Sequence, residues 1–401
     1  MFNYSLKHMK FIVIGLDDNR EQYFSPDILR YINNGKVFSG GIRHHEIVKQ
    51  YLPDNAVWIN ITVPLDKVFE QYQPHDEIIV FASGDPLFFG FANTIKKRLS
   101  KADILLFPTF NSLQTLAHRM VLPYQNMHIV SLTGRPWAAF DQALIEGKEL
   151  IGLLTDREKT PATIAERMLY YGYDNYRITI GELLGNKEEE KIRSLSLEEA
   201  VKENFHFPNC IMLERTRVRP RPFGIPESEF HLLNGRTKMI TKMPIRLITL
   251  SMLDLRDKSV FWDIGFCTGS VSIEAKMQFP HLQICSFEQR EEGKELMEMN
   301  SRKFGTPGIN SFIGDFLETD ISSLPHPDAV FIGGHGGKMT EIVQKIKEVL
   351  LPDGIIVFNS VSEESKEMFL NAIKQTGMKP TQHTNITVDE FNPIEIMKAT
   401  L

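Results

Sequence analysis

Short apolar runs rich in β-branched residues alternate along this chain with longer stretches whose apolar positions recur at helical spacing. Strands buried on both faces read as continuous apolar runs, so the rhythm predicts α/β architecture with mainly parallel sheets joined by helices. In the first half it predicts strands at Phe11–Gly15, Ile78–Ala82, Ile104–Phe107, His128–Leu132, Leu150–Leu154, Arg177–Ile180 and Asn209–Leu213. Ser25-Pro26 and Thr160-Pro161 each place a capping hydroxyl before a proline, a helix-start signal. The charged run Gly185–Lys191 predicts a solvated loop.

The rhythm breaks between Arg215 and Lys238. Pro220, Pro222 and Pro226 favour an extended linker, and Arg215, Arg217, Arg219 and Arg221 alternate along it. Two readings of these arginines stand: a solvated linker, or one basic side turned to an anionic ligand. A second α/β rhythm follows. It predicts a helix over Thr241–Leu253 and strands at Val260–Ile264 and Gln283–Phe287, then a helix over Arg290–Phe304. Strands Ser311–Ile313 and Ala329–Ile332, helix Met339–Leu350, strand Ile355–Phe358 and helix Glu363–Thr376 come next, and a hairpin of Thr381–Val388 with Ile394–Lys398 ends the chain. No repeat relates the halves. The expected domains are 1–215 and 239–401, with 216–238 as linker.

A length of 401 residues supports two domains rather than one. The net charge of −6 disfavours a nucleic-acid partner, which needs a basic surface. Cys210, Cys267 and Cys285 are too widely spaced for a disulfide framework or a metal clamp, which fits a reducing cytoplasm. The segment from Met1 lacks a leader pattern, and no run is long enough to span a bilayer.

Two segments carry chemistry. Trp262–Ser270 is a glycine-containing turn between a strand and a helix, where backbone amides can meet a ligand, and Glu288 ends the next strand. A dinucleotide fingerprint would need glycines where Gly265, Cys267 and Ser270 stand, so that reading fails. Asp263-x-Gly265-x-Cys267-x-Gly269 instead resembles the donor loop of Rossmann-type S-adenosylmethionine methyltransferases, with Cys267 replacing a glycine. The resemblance implies cofactor contacts from Asp263, Gly265, Phe266, Cys267, Thr268 and Gly269. It adds Glu288 at the ribose and Gly314-Asp315 beside the adenine. Gly224–Phe230, Met239–Arg246, Pro327–Gly337 and Phe358–Val361 are similar to segments of precorrin decarboxylating methyltransferases. In that family Thr241 would contact the donor, and Gly333 and Gly334 would border the substrate.

The second segment is Ser83-Gly84-Asp85-Pro86, following an apolar run. With Gly40–His44, Ser131–Trp137, Leu154–Asp156, Thr160-Pro161 and Gly181–Gly185 it resembles the tetrapyrrole methylases, specifically those acting on carbon 5 of precorrin. That family folds as a two-lobed α/β domain. The resemblance implies a second S-adenosylmethionine site using Gly15, Ser83, Gly84 and Asp85. The family's first loop is richer in glycine than Gly15–Arg20 here, which puts donor binding in this half in question.

Together the resemblances imply a fusion that methylates precorrin-6B, or its cobalt form, at carbons 5 and 15 and decarboxylates the carbon 12 acetate in cobalamin biosynthesis. They imply two S-adenosylmethionine sites, a tetrapyrrole substrate, no resident metal, no nucleic-acid or membrane partner and a homo-oligomer. Arg43, His44, Arg135 and Arg246 are candidate substrate anchors, with structural ion pairs as the other reading of the arginines. His335 and Asn359 are the catalytic candidates. The histidine either moves a proton or is an ordinary loop residue. A methyltransferase for RNA or another small molecule and a non-catalytic tetrapyrrole carrier are the competing readings.

Overall fold

The computed structural model describes residues 8–236, 239–388 and 393–401. The expected features at Met1–Lys7 and at the linker's Thr237 and Lys238 lie outside them. By internal contacts the chain forms two compact units, residues 1–135, 149–166 and 176–216, and residues 136–148, 167–175 and 217–401. The division does not run at one point near 215: the stretches 136–148 and 167–175 group with the second unit.

The first unit holds two sheets. Strands β1 (Lys10–Leu16), β2 (Val37–Gly40), β3 (Val57–Asn60), β4 (Glu77–Ser83) and β5 (Asp103–Phe107) form one in the order β3-β2-β4-β1-β5, all parallel. Helices α1 (Pro26–Asn34), α2 (Ile42–Val48), α3 (Leu65–Tyr72) and α4 (Phe91–Arg98) make the crossovers, and α5 (Ser112–Met120) follows β5. Strands β2 and β3 escaped the sequence reading because β2 ends in Ser39-Gly40 and β3 in Asn60, so neither shows a continuous apolar run. Ser25 accepts the Ile28 N–H ahead of Pro26, as its sequence predicts.

The second sheet departs from the mainly parallel pairing that the other two keep. It contains β6 (His128–Ser131), β7 (Leu150–Leu154), β8 (Tyr176–Glu182), β9 (Lys191–Leu195) and β10 (Asn209–Arg215), in the order β6-β7-β10-β8-β9. Only β6 and β7 run parallel; the others pair antiparallel. The charged run forms the loop between β8 and β9, too short for a crossover, so the strands close as a hairpin. Within it Asn186 is buried, and Glu190 accepts the Gly185 N–H and two bonds from Arg119.

Helices α6 (Ala138–Ile145), α7 (Pro161–Tyr170) and α8 (Leu197–Ala200) precede the second unit's sheet in the chain. That sheet comprises β11 (Val260–Ile264), β12 (Gln283–Glu288), β13 (Ile309–Ile313), β14 (Ala329–Ile332), β15 (Ile355–Ser360), β16 (Lys379–Ile386) and β17 (Ile394–Thr400). Helices α9 (Met243–Met252), α10 (Ser270–Gln278), α11 (Glu292–Phe304), α12 (Met339–Val349) and α13 (Glu363–Thr376) alternate with them. The order is β13-β12-β11-β14-β15-β17-β16, with β17 antiparallel to both neighbours. Every residue of β11 is buried, as a central parallel strand requires. The predicted terminal hairpin is β16–β17, whose edge strand is polar and carries Pro380 at a register shift. The order reverses between β11 and β14, and the crevice at their carboxyl ends is where such sheets bind ligands.

Candidate active sites

In the second unit a cavity of about 650 Å³ opens over the carboxyl ends of β11, β12 and β14. Gly265 has φ of 79°, and a β-carbon there would lie 2.7 Å from the Gly334 nitrogen, so two backbones meet where only glycine fits. Cys267 holds φ of 50° despite its side chain, a left-handed strain that a glycine would not carry. Burial and the nearby Glu288 push its thiol pKa up. Glu288 is nearly buried; one carboxylate oxygen accepts the Cys267 N–H at 2.8 Å and the other the Arg290 N–H at 3.0 Å. The first of these oxygens, Oε2, keeps a second lone pair for a ligand, while the other also accepts the Arg290 guanidinium at 3.1 Å.

Asp263, Gly265, Phe266, Cys267, Glu288, Gly314, Asp315, Thr241, Gly333, Gly334 and His335 are thus brought to one cavity wall. Thr268 and Gly269 are not: Thr268 turns its carbonyl to Asn300, and Gly269 begins α10 against Met297. Asn359 also stays outside this wall. Its amide N–H donates to the Thr249 hydroxyl at 3.0 Å, which ties β15 to α9. The sequence reading missed Arg290 and Lys338. Lys338 bonds Asp315 at 2.8 Å and holds that carboxyl below its ordinary value.

The substrate-anchor reading of Arg246 fails. The guanidinium is fully buried and pairs with the equally buried Glu274 at 3.2 Å. Its other nitrogens donate to the Thr241 carbonyl at 2.7 Å and to the Ile225 carbonyl. Glu274 also accepts the N–H groups of Gly224 and Ile225, so the pair fastens the entry segment to α10 and sets Thr241 at the cavity. The linker arginines are likewise spent internally. Arg215 pairs with Glu149, Arg217 with Asp174, and Arg219 and Arg221 cap backbone carbonyls.

The donor group fits this cavity on two observations. Asp263 Oδ1 is a buried acceptor without a hydrogen-bond partner among the described residues, in a wall suited to an ammonium group. A β-carbon added at Gly314, Gly334 or Gly336 would meet nothing, leaving open space for a large ligand. Burial, opposed by Ser272, pushes the Asp263 carboxyl from 3.8 to about 7. Between those values the folded chain holds a proton that the unfolded chain releases, so stability falls as pH rises, by about 4 kcal/mol in all. Asp263→Asn is expected to remove that part of the decline, measured by denaturation between pH 4 and pH 8. An unchanged pH slope would refute it.

The first unit carries a cavity of about 700 Å³, lined by Arg43, His44, Ser83, Gly84 and Arg135 among the expected residues. Gly15 lies behind the wall: a β-carbon there would sit 1.9 Å from the Gly84 carbonyl oxygen. Asp85 closes its own turn by accepting the Leu87 N–H at 2.8 Å. Where glycines were expected, Asp17 bonds the Asn19 N–H and Gln22, and Asp18 pairs with Arg43 at 3.1 Å. Side-chain bonds replace glycine's freedom in this loop. Arg43 also donates to Ser83 at 2.9 Å, and His44 faces Ser83 at 3.0 Å. The His44 Nδ1 accepts the Gly41 N–H, so the neutral ring carries its proton on Nε2. Burial, then Arg43, pushes its pKa down to about 4.

A family model described as the precorrin methyltransferase domain matches residues 234–399. A precorrin-6Y C(5,15)-methyltransferase (decarboxylating) of a Sinorhizobium species is 28% identical over 91% of this chain and 88% of its own. A cobalt-precorrin-6B C(15)-methyltransferase (decarboxylating) of Salmonella typhimurium is 30% identical over 40% of this chain and 83% of its own. A solved precorrin-6Y C5,15-methyltransferase from Geobacter metallireducens aligns at 32% identity, over 45% of this chain and 98% of that one, with a TM-score of 0.41. With 30% identity over that share of the Salmonella enzyme, the chain belongs to the family of decarboxylating precorrin methyltransferases.

Proposed function

We propose that this chain methylates precorrin-6B, or its cobalt form, at carbons 5 and 15 and decarboxylates the carbon 12 acetate, working in the cytoplasm. The observation that carries the proposal is that each unit has its own large cavity at strand ends. The similarity to the Sinorhizobium enzyme, running over both units, supports the same reading. The first unit takes carbon 5, and the second takes carbon 15 and the acetate. Bound in each cavity, S-adenosylmethionine supplies an electrophilic methyl group.

In the second unit Asp263, Glu288, Thr241 and the Gly265–Cys267 backbone hold the donor, and Gly314-Asp315 borders it. Alignment of donor and acceptor carbon is the main catalytic device, because such a displacement needs no protein nucleophile. Methylation releases a proton from the macrocycle, and the departing carbon dioxide leaves a carbon that must gain one. His335, which lines the wall, is the residue we assign to relay it. Burial lowers its pKa, so the ring is neutral near pH 7. Its Nδ1 accepts the Gly337 N–H at 3.1 Å, so the neutral ring carries its proton on Nε2, where it can be donated, and takes up another at Nδ1 only by releasing Gly337.

The whole chain, given precorrin-6B and isotopically labelled S-adenosylmethionine, should yield a product with two added methyl groups and one carbon dioxide lost. Mass spectrometry reads both. A single methyl gain with the carboxyl retained would refute the proposal. His335→Gln should slow decarboxylation by about 10²-fold or more and abolish an acid limb below the ordinary histidine range. An unchanged pH profile would refute the relay.

A further inference from the structure

The rim of the first cavity carries three large aromatic side chains that folding leaves in the open. Phe89, Phe110 and Phe207 remain 45%, 58% and 48% exposed, and all three line the wall. Phe89 also sits at φ of 55°, a left-handed conformation that residues with a β-carbon rarely adopt. The turn presenting it is locked. The Phe88 N–H reaches the Asp85 carbonyl at 3.0 Å, and the Asn93 side chain donates to the Leu87 carbonyl at 2.7 Å. An exposed ring on a strained residue in a fixed turn points to function rather than to the core.

Two cavity arginines complete the pattern. The Arg135 guanidinium lies over the Phe89 ring at 4.7 Å, and Arg157 lies over Phe207 at 5.2 Å. Among the described residues neither has a carboxylate partner, whereas Arg43 and Arg246 do. They stand on the loops after β6 and β7, which the Gly134 N–H joins by bonding Asp156 at 2.9 Å. Asp156 also accepts the N–H groups of Glu158 and Lys159, fixing the loop that bears Arg157. A guanidinium stacked on a ring keeps its orientation and its N–H edge open to an oxyanion.

We infer that the Arg135–Phe89 and Arg157–Phe207 pairs form a clamp for a flat macrocycle fringed with carboxylates. The rings meet its face, and the guanidinium groups meet its side chains. This inference rests on the tetrapyrrole reading above and extends the anchor expected at Arg135 to Arg157 and to the two rings that hold them.

The test uses the whole chain and two porphyrin probes, the octacarboxylate uroporphyrin and the tetracarboxylate coproporphyrin, followed by fluorescence. The wild type should prefer uroporphyrin. The double variant R135Q/R157Q should bind it about a hundredfold more weakly and lose the preference. Phe89→Gly should weaken binding about tenfold yet raise the melting temperature, since glycine relieves the left-handed strain. A merely structural Phe89 would give the reverse, a lower melting temperature with affinity intact, and would overturn the clamp. With precorrin-6B, these variants should lose carbon 5 methylation while keeping carbon 15 methylation and decarboxylation. Wild-type turnover with unchanged variants overturns the clamp alone. A wild type that neither methylates precorrin-6B nor binds either porphyrin overturns the tetrapyrrole reading and the clamp with it.

Discussion

Glu274→Ala is expected to cost about 3–5 kcal/mol of stability, because it strands the buried Arg246 charge. The carboxylate answers that guanidinium and two backbone N–H groups at once, and both side chains are fully buried. The same change frees the segment that carries Thr241, so carbon 15 methylation should fall with stability. The double variant R246M/E274M separates the two effects. Replacing both charges by apolar side chains removes the stranded charge and should restore most of the stability. It does not restore the bond from Arg246 to the Thr241 carbonyl, so methylation should stay impaired. Denaturation midpoints and product masses read these outcomes. A Glu274→Ala loss below about 1 kcal/mol, the range of an exposed ion pair, would refute the argument.

Gly15→Ala should remove carbon 5 methylation while leaving the carbon 15 chemistry intact. The new β-carbon would lie 1.9 Å from the Gly84 carbonyl oxygen and 2.9 Å from the Thr109 nitrogen. Both obstacles are backbone atoms, so no side chain can swing aside. Overpacking of this kind typically costs about 1–3 kcal/mol. Here the strain falls between β1 and the Ser83–Asp85 turn, whose Gly84 N–H bonds Leu16 at 2.7 Å. Displacing that turn moves Ser83 away from Arg43 and His44. The product should then carry one new methyl group and lack the carboxyl, and calorimetry with S-adenosylhomocysteine should show one site instead of two. Retention of both methylations would refute the account.

The candidate sites were legible where chemistry and backbone geometry share a short segment. Asp263, Gly265 and Cys267 lie on one strand-to-helix turn, and Glu288 ends the adjacent strand, so their meeting follows from parallel pairing alone. Arg246 misled because a lone arginine in an apolar helix suggests either a ligand or burial. Its partner, Glu274, lies on a different helix, and no local pattern links them. Asn359 misled for the same reason, its partner Thr249 lying far off in the chain. Phe89 closely follows the Ser83–Pro86 motif, yet exposure and left-handed backbone are properties that a motif does not display.

The apolar rhythm by itself determined the α/β class, the strands of the second unit's sheet and the capped helix starts, because each depends on residues within one turn or one strand. The glycine-bearing turns likewise follow from local backbone freedom. Tertiary structure alone decided the antiparallel second sheet, the burial of Arg246 on Glu274 and the Asp18–Arg43 pair that replaces a glycine loop. It also decided which arginines face a cavity uncommitted. Those outcomes depend on which distant side chains share a low-dielectric interior, where an unanswered charge is too costly to remain.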